Sequence, residues 1–135
     1  MSTLNVTNAQ ITTLKDASGN NPTTPSDLVK GRAKAWINYD MSGTAGITES
    51  FNITSITDNG TGDCTVTIAT DFDDGNYCCV SASGNNHGSG NDGHLVIIND
   101  DSAIPTTTAV KCITKNDANA ARDTDRNYLV MFGDQ

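Results

Sequence analysis

The sequence predicts an all-β fold, an antiparallel β-sandwich of jelly-roll-like type with an extended N-terminal arm. Only 36% of residues are apolar and 5% aromatic, and the abundant Thr, Asn, Asp, Ser and Gly favour strands and tight turns. Residues 64–68 alternate apolar and polar side chains with period two, as in a strand with one buried and one solvated face. About seven strand-like segments recur with turn signals between them, which is the pattern of a sandwich or barrel.

The predicted strands follow one another from residue 35 to the C-terminus. They cover residues 35–39, 51–53, 64–68, 77–82, 95–98, 107–114 and 128–132. Asn59-Gly60 is the strongest short signal for a turn, so residues 50–69 are predicted to form a hairpin. The polar segment 116–127 contains three alanines and has room for one loose helical turn. The expected core consists of Trp36, Ile53, Val66, Ile68, Val80, Val96, Ile98, Val110, Val130 and Phe132.

Residues 1–30 are predicted to be an attachment arm and linker that precedes a sandwich domain at 31–135. The arm has two small apolar patches, formed by Leu4, Val6, Ile11 and Leu14. A polar run with two prolines follows at 16–25, and Ser26 is a candidate cap for a short helical turn that Gly31 ends. Because such a segment is too small to form its own core, we expect it to dock on another surface.

The net charge of −8 disfavours nucleic acid and anionic membranes as partners. No apolar stretch approaches the roughly 20 residues of a membrane span. The first ten residues, MSTLNVTNAQ, lack the basic and apolar regions of a signal peptide. We therefore expect a protein that is made in the cytosol of the cell that produces it.

The four cysteines do not form a C-x-x-C pair or a zinc-knuckle spacing. Cys64, Cys79 and Cys112 lie in apolar, strand-like runs, which predicts buried, reduced thiols that pack as small hydrophobic side chains. A disulfide from Cys64 or Cys112 to one of the adjacent pair Cys78-Cys79 is the alternative if the protein ends outside the cell.

The sequence contains no motif of a known catalytic site, and we expect no enzymatic activity and no cofactor. Its two histidines, His87 and His94, lie in or beside a glycine-rich segment that would position a general base poorly. Solvated loop histidines are the favoured interpretation, so no metal site is predicted. The alternative is a zinc or iron ion held by histidines from three chains on a threefold axis.

Two aspartate clusters resemble calcium ligands only superficially. They are Asp71, Asp73 and Asp74, followed by Asp100 and Asp101. No glutamate follows at the spacing of an EF-hand, so turn formation is the better explanation.

Residues 83–93, SGNNHGSGNDG, contain no apolar side chain and are predicted to be an exposed loop. The loop is the best candidate for recognition because amides and carboxylates pair well with sugar hydroxyls. The candidate binding residues are Asn85, Asn86, His87, Asn91 and Asp92. A long, soluble hairpin loop without a ligand explains the composition equally well.

Four stretches together resemble a module of tailed-phage virion surface proteins, marine and cyanophage types especially. GRAKAWINY at 31–39 is similar to a K-A-W-V-N-F segment, and SFNITSITDNGTGD at 50–63 is similar to the hairpin S-x-N-V-S-S-I-T-D-N-G-T-G-D-Y that follows it. DGNY at 74–77 and VMFGD at 130–134 match the later turn and the terminal V-x-F-G-D strand. The resemblance covers nearly all of residues 31–135, and the leader at 1–20 is similar too.

This resemblance implies a structural part of the virion surface, such as a tail fibre, head fibre or capsid decoration protein, usually a homotrimer. The arm would then dock on capsid or tail proteins, or on sister subunits. The alternative is a receptor-binding tail-fibre module that recognises a host surface glycan through loop 83–93. A hydrolase such as a capsule depolymerase has less support, because no pair of acids stands in a catalytic setting. The sequence departs from the family pattern at Cys64, where an aromatic residue is common, and at Cys78-Cys79. We expect these differences to alter the packing of the module more than its role.

Overall fold

The computed structural model describes residues 10–84, 94–98 and 105–135. The chain divides into two compact units, residues 1–32 and 33–135. The first unit contains one short helix, α1 (Pro25–Lys30). The second unit contains the strands, which confirms the predicted all-β sandwich.

Two antiparallel four-stranded sheets pack together in the second unit. The strands in the described residues are β1 (Ala35–Asp40), β2 (Gly46–Phe51), β3 (Ile53–Gly60), β4 (Asp63–Ile68), β5 (Cys78–Gly84), β6 (His94–Ile98), β7 (Ala109–Asn116) and β8 (Arg126–Phe132). Sheet I has the order β2-β1-β8-β5, and sheet II has the order β3-β4-β7-β6. Consecutive strands pair as β1–β2 in sheet I and as β3–β4 and β6–β7 in sheet II. β8 lies between β1 and β5, and β4 pairs with β7.

The predicted hairpin at 50–69 is present as β3–β4, but its turn lies two residues later than Asn59-Gly60. Gly60 pairs with Asp63, so Thr61-Gly62 forms the two-residue turn, and the register shifts around Asn59. Gly62 has φ 67°, and a Cβ there would lie 2.6 Å from the carbonyl oxygen of Thr114. Only glycine fits this turn, because its backbone packs directly against β7.

The predicted strand at 51–53 is two strands separated by a sharp bend. Asn52 has φ 57°, so β2 ends at Phe51 in sheet I and β3 begins at Ile53 in sheet II. The Asn52 side chain stabilises this bend: its Nδ2 donates to the carbonyl oxygens of Lys34 and Thr70, and its Oδ1 accepts from the Thr70 amide at 2.7 Å. Period-two alternation did not reveal the bend, since Asn tolerates the left-handed conformation without a glycine signal.

The core lies between the inner faces of the two sheets. Val66, Ile68, Val96 and Val110 are buried as predicted, and Ile53 and Ile98 pack at its margin. The other buried hydrophobic residues are Ala35, Ile37, Tyr39, Met41, Cys64, Phe72, Tyr77, Cys112, Ile113, Leu129 and Met131. The side chains of β4 therefore alternate as the sequence predicts, whereas Cys112, Ile113 and Thr114 of β7 are buried in succession.

Four predicted core residues, Trp36, Val80, Val130 and Phe132, were assigned to the wrong face of sheet I. The buried positions of β1 are Ala35, Ile37 and Tyr39, and those of β8 include Leu129 and Met131. In β8 both alternating sets are largely apolar, so periodicity could not decide which set faces sheet II. In β1 the set of Trp36 also contains Asn38 and Asp40, so alternation favours the observed face and the prediction for Trp36 overlooked it. In β5 the set of Val80 is the more apolar one, yet it faces outward. A shift of one residue exchanges the two faces of a strand.

Two further predictions need correction. Thr24, not Ser26, caps helix α1: its hydroxyl accepts from the Asp27 amide, and the Asp27 carboxylate accepts from the Thr24 amide, which forms a capping box. Segment 116–127 contains no helix. The chain instead turns after Asn116, and Lys115 forms an isolated bridge with Ala121.

We expect Leu129→Ala to lower the free energy of unfolding by about 2–5 kcal/mol, because Leu129 is fully buried and truncation leaves a cavity. Thr67→Ala, on the solvent side of β4, is the matched control and should cost less than about 1 kcal/mol. Urea denaturation followed by circular dichroism measures both. Equal losses for the two variants would contradict the assignment of the core.

Candidate functional site: the outer face of sheet I

The outer face of sheet I carries a continuous apolar row across all four strands. Phe51 pairs with Trp36, Trp36 with Val130, and Val130 with Val80. Cross-strand partners have Cβ atoms about 4.5–5.5 Å apart, so the four side chains form one contiguous strip. Phe51 is 53% exposed and Val80 57% exposed.

Two flanking rows extend this apolar surface. On one side Phe132 pairs with Cys78, which is exposed. On the other side Tyr128, 42% exposed, pairs with Asn38 and Ala82, and Asn38 pairs with Glu49. We call the ten residues of these three rows the aromatic face. Its members are Trp36, Asn38, Glu49, Phe51, Cys78, Val80, Ala82, Tyr128, Val130 and Phe132.

The outer face of sheet II has the opposite chemistry. Thr57 pairs with Thr65 and Thr65 with Lys111, while Ser55 pairs with Thr67. Lys111 Nζ lies 3.1 Å from Asp63 Oδ2 in an ion pair on this face. The outer face of sheet II is therefore polar over β3 and β4 and at Lys111 of β7, although the buried Ile113 lies opposite Asp63 on the same face. The outer face of sheet I is apolar across all four strands.

A buried polar cluster closes one end of the sandwich, at the end of β5. Asn127 is fully buried, and its Oδ1 accepts from Thr124 Oγ1 at 2.7 Å and from Ser83 Oγ at 3.0 Å. Its Nδ2 donates to the carbonyl oxygens of Thr124 and Tyr39. The cluster ties the ends of β1, β5 and β8 together. Ser83 and Gly84, which were predicted to begin an exposed loop, are half-buried residues of β5 instead, because the Ser83 hydroxyl joins this cluster.

The predicted recognition residues of that loop, Asn85, Asn86, His87, Asn91 and Asp92, lie outside the described residues. The backbone of His94 begins β6. Within the described part of the chain, no group of three His, Cys, Asp or Glu side chains stands close enough to hold a metal ion. The aspartates at 100 and 101 also lie outside it.

The described aspartate cluster serves a turn. Asp74 Oδ1 accepts from the Asn76 amide at 2.7 Å, and this hydrogen bond, with a second from the Asn76 side chain, lowers the pKa of the Asp74 carboxyl. The turn leads into Tyr77, whose ring stacks on Phe72 with centroids 4.2 Å apart. Gly133 packs against this pair, and a Cβ there would lie 2.7 Å from that of Tyr77. The glycine of the terminal VMFGD stretch thus has a packing role.

All four cysteines are free thiols, and they occupy three different settings. Cys64 and Cys112 are buried and lie opposite each other on β4 and β7, with the Tyr39 ring beside them. Burial, reinforced by these thiols, raises the pKa of Tyr39 far above its usual range. Burial also raises the pKa of the half-buried Cys79 to about 11. Cys78 alone lies on the aromatic face.

The first unit exposes apolar side chains of its own. Of the predicted attachment residues, Leu4 and Val6 lie outside the described residues, Ile11 is exposed, and Leu14 is half-buried and forms a bridge with Thr23. Leu28 and Val29 of helix α1 are exposed beside a shallow groove of about 500 Å³. No helix in the described part of the chain has the length and hydrophobicity needed to cross a membrane.

Comparison with known proteins gives no match: no protein-family model, curated protein or solved structure is detectably similar to this chain. Sequence analysis did not identify the aromatic face, although a signal was present. Residues 128–132 form an unbroken apolar run, which is typical of a strand that is covered on both faces.

We expect Asn127→Ala to lower the free energy of unfolding by about 1–3 kcal/mol, because it removes the acceptor that the buried Thr124 hydroxyl and the half-buried Ser83 hydroxyl share. The exposed amide Asn76→Ala is the control and should change it by about 0.5 kcal/mol or less. Thermal and urea unfolding measure both variants. A neutral Asn127→Ala would show that the cluster does not stabilise this end of the sandwich.

Proposed function

We propose that this protein is a structural component of a phage virion surface: a short fibre, knob or decoration protein that forms a homotrimer and is anchored by residues 1–30. The observation that carries the proposal is the long, specific sequence resemblance at 31–39, 50–63, 74–77 and 130–134. On this proposal the protein is not an enzyme and needs no cofactor. It resides on the virion surface after assembly in the host cytoplasm.

The positions of the resembling stretches support a scaffold role for them. They fall in β1, in the β2–β3 bend with the β3–β4 hairpin, in the turn before β5, and in β8 with its end. Their special residues have local structural duties: Asn52 forms the bend, Gly62 the turn and Gly133 the contact with Phe72 and Tyr77. Because the residues that carry the resemblance maintain the fold, the module is suited to act as a scaffold that displays loops and an arm.

The division into two units supports an anchoring role for the first. The arm has one short helix without buried residues, and it exposes Ile11, Leu28 and Val29. Apolar side chains on so small a unit favour docking on another surface. The partners on this proposal are capsid or tail proteins, or sister subunits.

Deletion of residues 1–25 should abolish incorporation into phage particles, because the apolar patches that dock the protein are removed. Quantitative immunoblotting of purified particles measures occupancy. The control is the thermal unfolding of the truncated protein, which should match that of the full chain since the sandwich keeps its core. Unchanged occupancy with a folded sandwich would defeat the anchoring role.

A second candidate is a receptor-binding module that recognises a host glycan through loop 83–93. The Asn127 cluster favours it, because a rigid base is what a recognition loop requires.

Replacing Asn85, Asn86 and Asn91 together by Ala should reduce adsorption of particles to host cells severalfold if the loop binds a glycan, because the amide donors and acceptors are lost. Adsorption kinetics measure the effect at equal occupancy of the protein. If adsorption is unchanged, the loop is not the receptor-binding element and the structural role is favoured.

A further inference from the structure

We propose that the aromatic face is the surface through which copies of this chain associate with one another. The number of copies, three, rests on the proposed function, whereas the self-association does not. In a closed trimer, three sheets that turn this face to a common axis form a three-sided prism, and each copy buries the face against both neighbours.

The distribution of aromatic residues is the first argument. The chain has three Phe, three Tyr and one Trp, and four of these seven lie on the aromatic face rather than in the core. They are Trp36, Phe51, Tyr128 and Phe132. Burying apolar surface stabilises a protein by about 25 cal/mol for each Å² removed from water. In a chain with so few large apolar residues, leaving four of them in water would forgo much of this free energy. Their position indicates that this face is covered in the assembled protein.

The size and layout of the face are the second argument. Four strands at about 4.8 Å spacing and six residues at about 3.4 Å give a face of roughly 19 by 20 Å. Its projected area of about 400 Å² lies in the range of the largest apolar patches of monomers, which are often functional. Three such faces together bury about 1,200 Å², which is the lower end of the range for a specific protein–protein interface. The apolar row lies at the centre and the charged residues lie toward one end, as in an interface with an apolar core and a polar rim.

Charge favours a second copy over a basic partner as the occupant. The four strands of sheet I contain Asp40, Glu49 and Arg126, which give a formal charge of −1, and those of sheet II contain Asp58, Asp63, Lys111 and Lys115, which sum to 0. The chain as a whole carries −8, whereas sheet I is nearly neutral and in addition apolar across its outer face. Two copies of so acidic a chain repel each other unless they meet through a nearly neutral surface. A basic partner attracted by the acidic chain would instead need an acidic face. Glu49 and Arg126 also offer opposite charges that can pair between copies.

The test compares two lysine substitutions on opposite sides of the same sandwich. Val80→Lys places a charge in the central apolar row, and Thr67→Lys places the same charge on the polar outer face of sheet II. Light scattering after size exclusion measures the mass of each full-length protein. We expect the wild type and Thr67→Lys to have three times the chain mass of 14.2 kDa, and Val80→Lys to show a threefold loss of mass.

Two intrinsic reporters allow the face to be followed directly. Trp36 is the only tryptophan and lies in the central row, so its emission should shift to the red when the wild type is diluted until it dissociates. Cys78 is exposed on the isolated chain, so a thiol reagent should modify it at least tenfold faster in Val80→Lys than in the assembled wild type. Cys78→Ser identifies the reacting thiol. If Val80→Lys fails to fold, Phe51→Glu at the edge of the same row replaces it.

The outcomes separate this inference from the proposed function. A wild type that is monomeric at the highest concentration reached, or a folded Val80→Lys with unchanged mass, would overturn the inference. A dimer that Val80→Lys dissociates would support the face and contradict the trimer. A monomer whose Trp36 emission responds to host polysaccharide would overturn self-association in favour of a carbohydrate surface. If the protein associates with itself but is absent from purified particles, this inference is supported and the virion role is contradicted.

Discussion

The pairing of β1 with β8 at the centre of sheet I determines most of what this molecule presents to its surroundings. Trp36 lies opposite Val130 on one face, while Ile37 lies opposite Leu129 on the other. Both faces are apolar, and only one of them can pack against sheet II. The packing of Ile37, Tyr39, Leu129 and Met131 against Val66 and Val110 therefore leaves Trp36 and Val130 on the outside. The register of the β1–β8 pair therefore determines both which side chains form the core and which form the aromatic face.

The choice of the inner face is reinforced at the end of the sandwich by a polar contact. Asn127 follows the same alternation as Leu129 and Met131, so its amide points into the interior. There it finds partners for its oxygen and its nitrogen in Thr124, Ser83 and the carbonyl oxygen of Tyr39. In the opposite register this amide would lose these partners, and Trp36 would have to replace Ile37 in the core. Buried polar groups that are fully satisfied favour one arrangement over its competitors.

The same architecture separates the tasks that the proposed function requires. The hairpin β3–β4 and the bend at Asn52 hold the two sheets in place, and the polar face of sheet II gives the sandwich an ordinary solvated side. The aromatic face provides a neutral surface on an acidic chain, and the first unit exposes apolar side chains of its own. Cohesion between copies, attachment and loop display thus depend on different residues, so each can be altered without the others.

The sequence by itself determined the fold class, the hairpin at 50–69 and the buried face of β4. That strand has one apolar and one polar set, so alternation alone identifies the buried side. It also indicated the resemblance to phage surface proteins. It could not place the turn at Thr61-Gly62, since Asn59-Gly60 is the stronger local signal and the close approach of Gly62 to β7 exists only in the folded sheet. Above all it could not assign Val130 and Phe132, because both faces of β8 are largely apolar, or Val80, because the more apolar set of β5 faces outward. Only the tertiary structure decided that question, through cross-strand register and the limited space between two sheets.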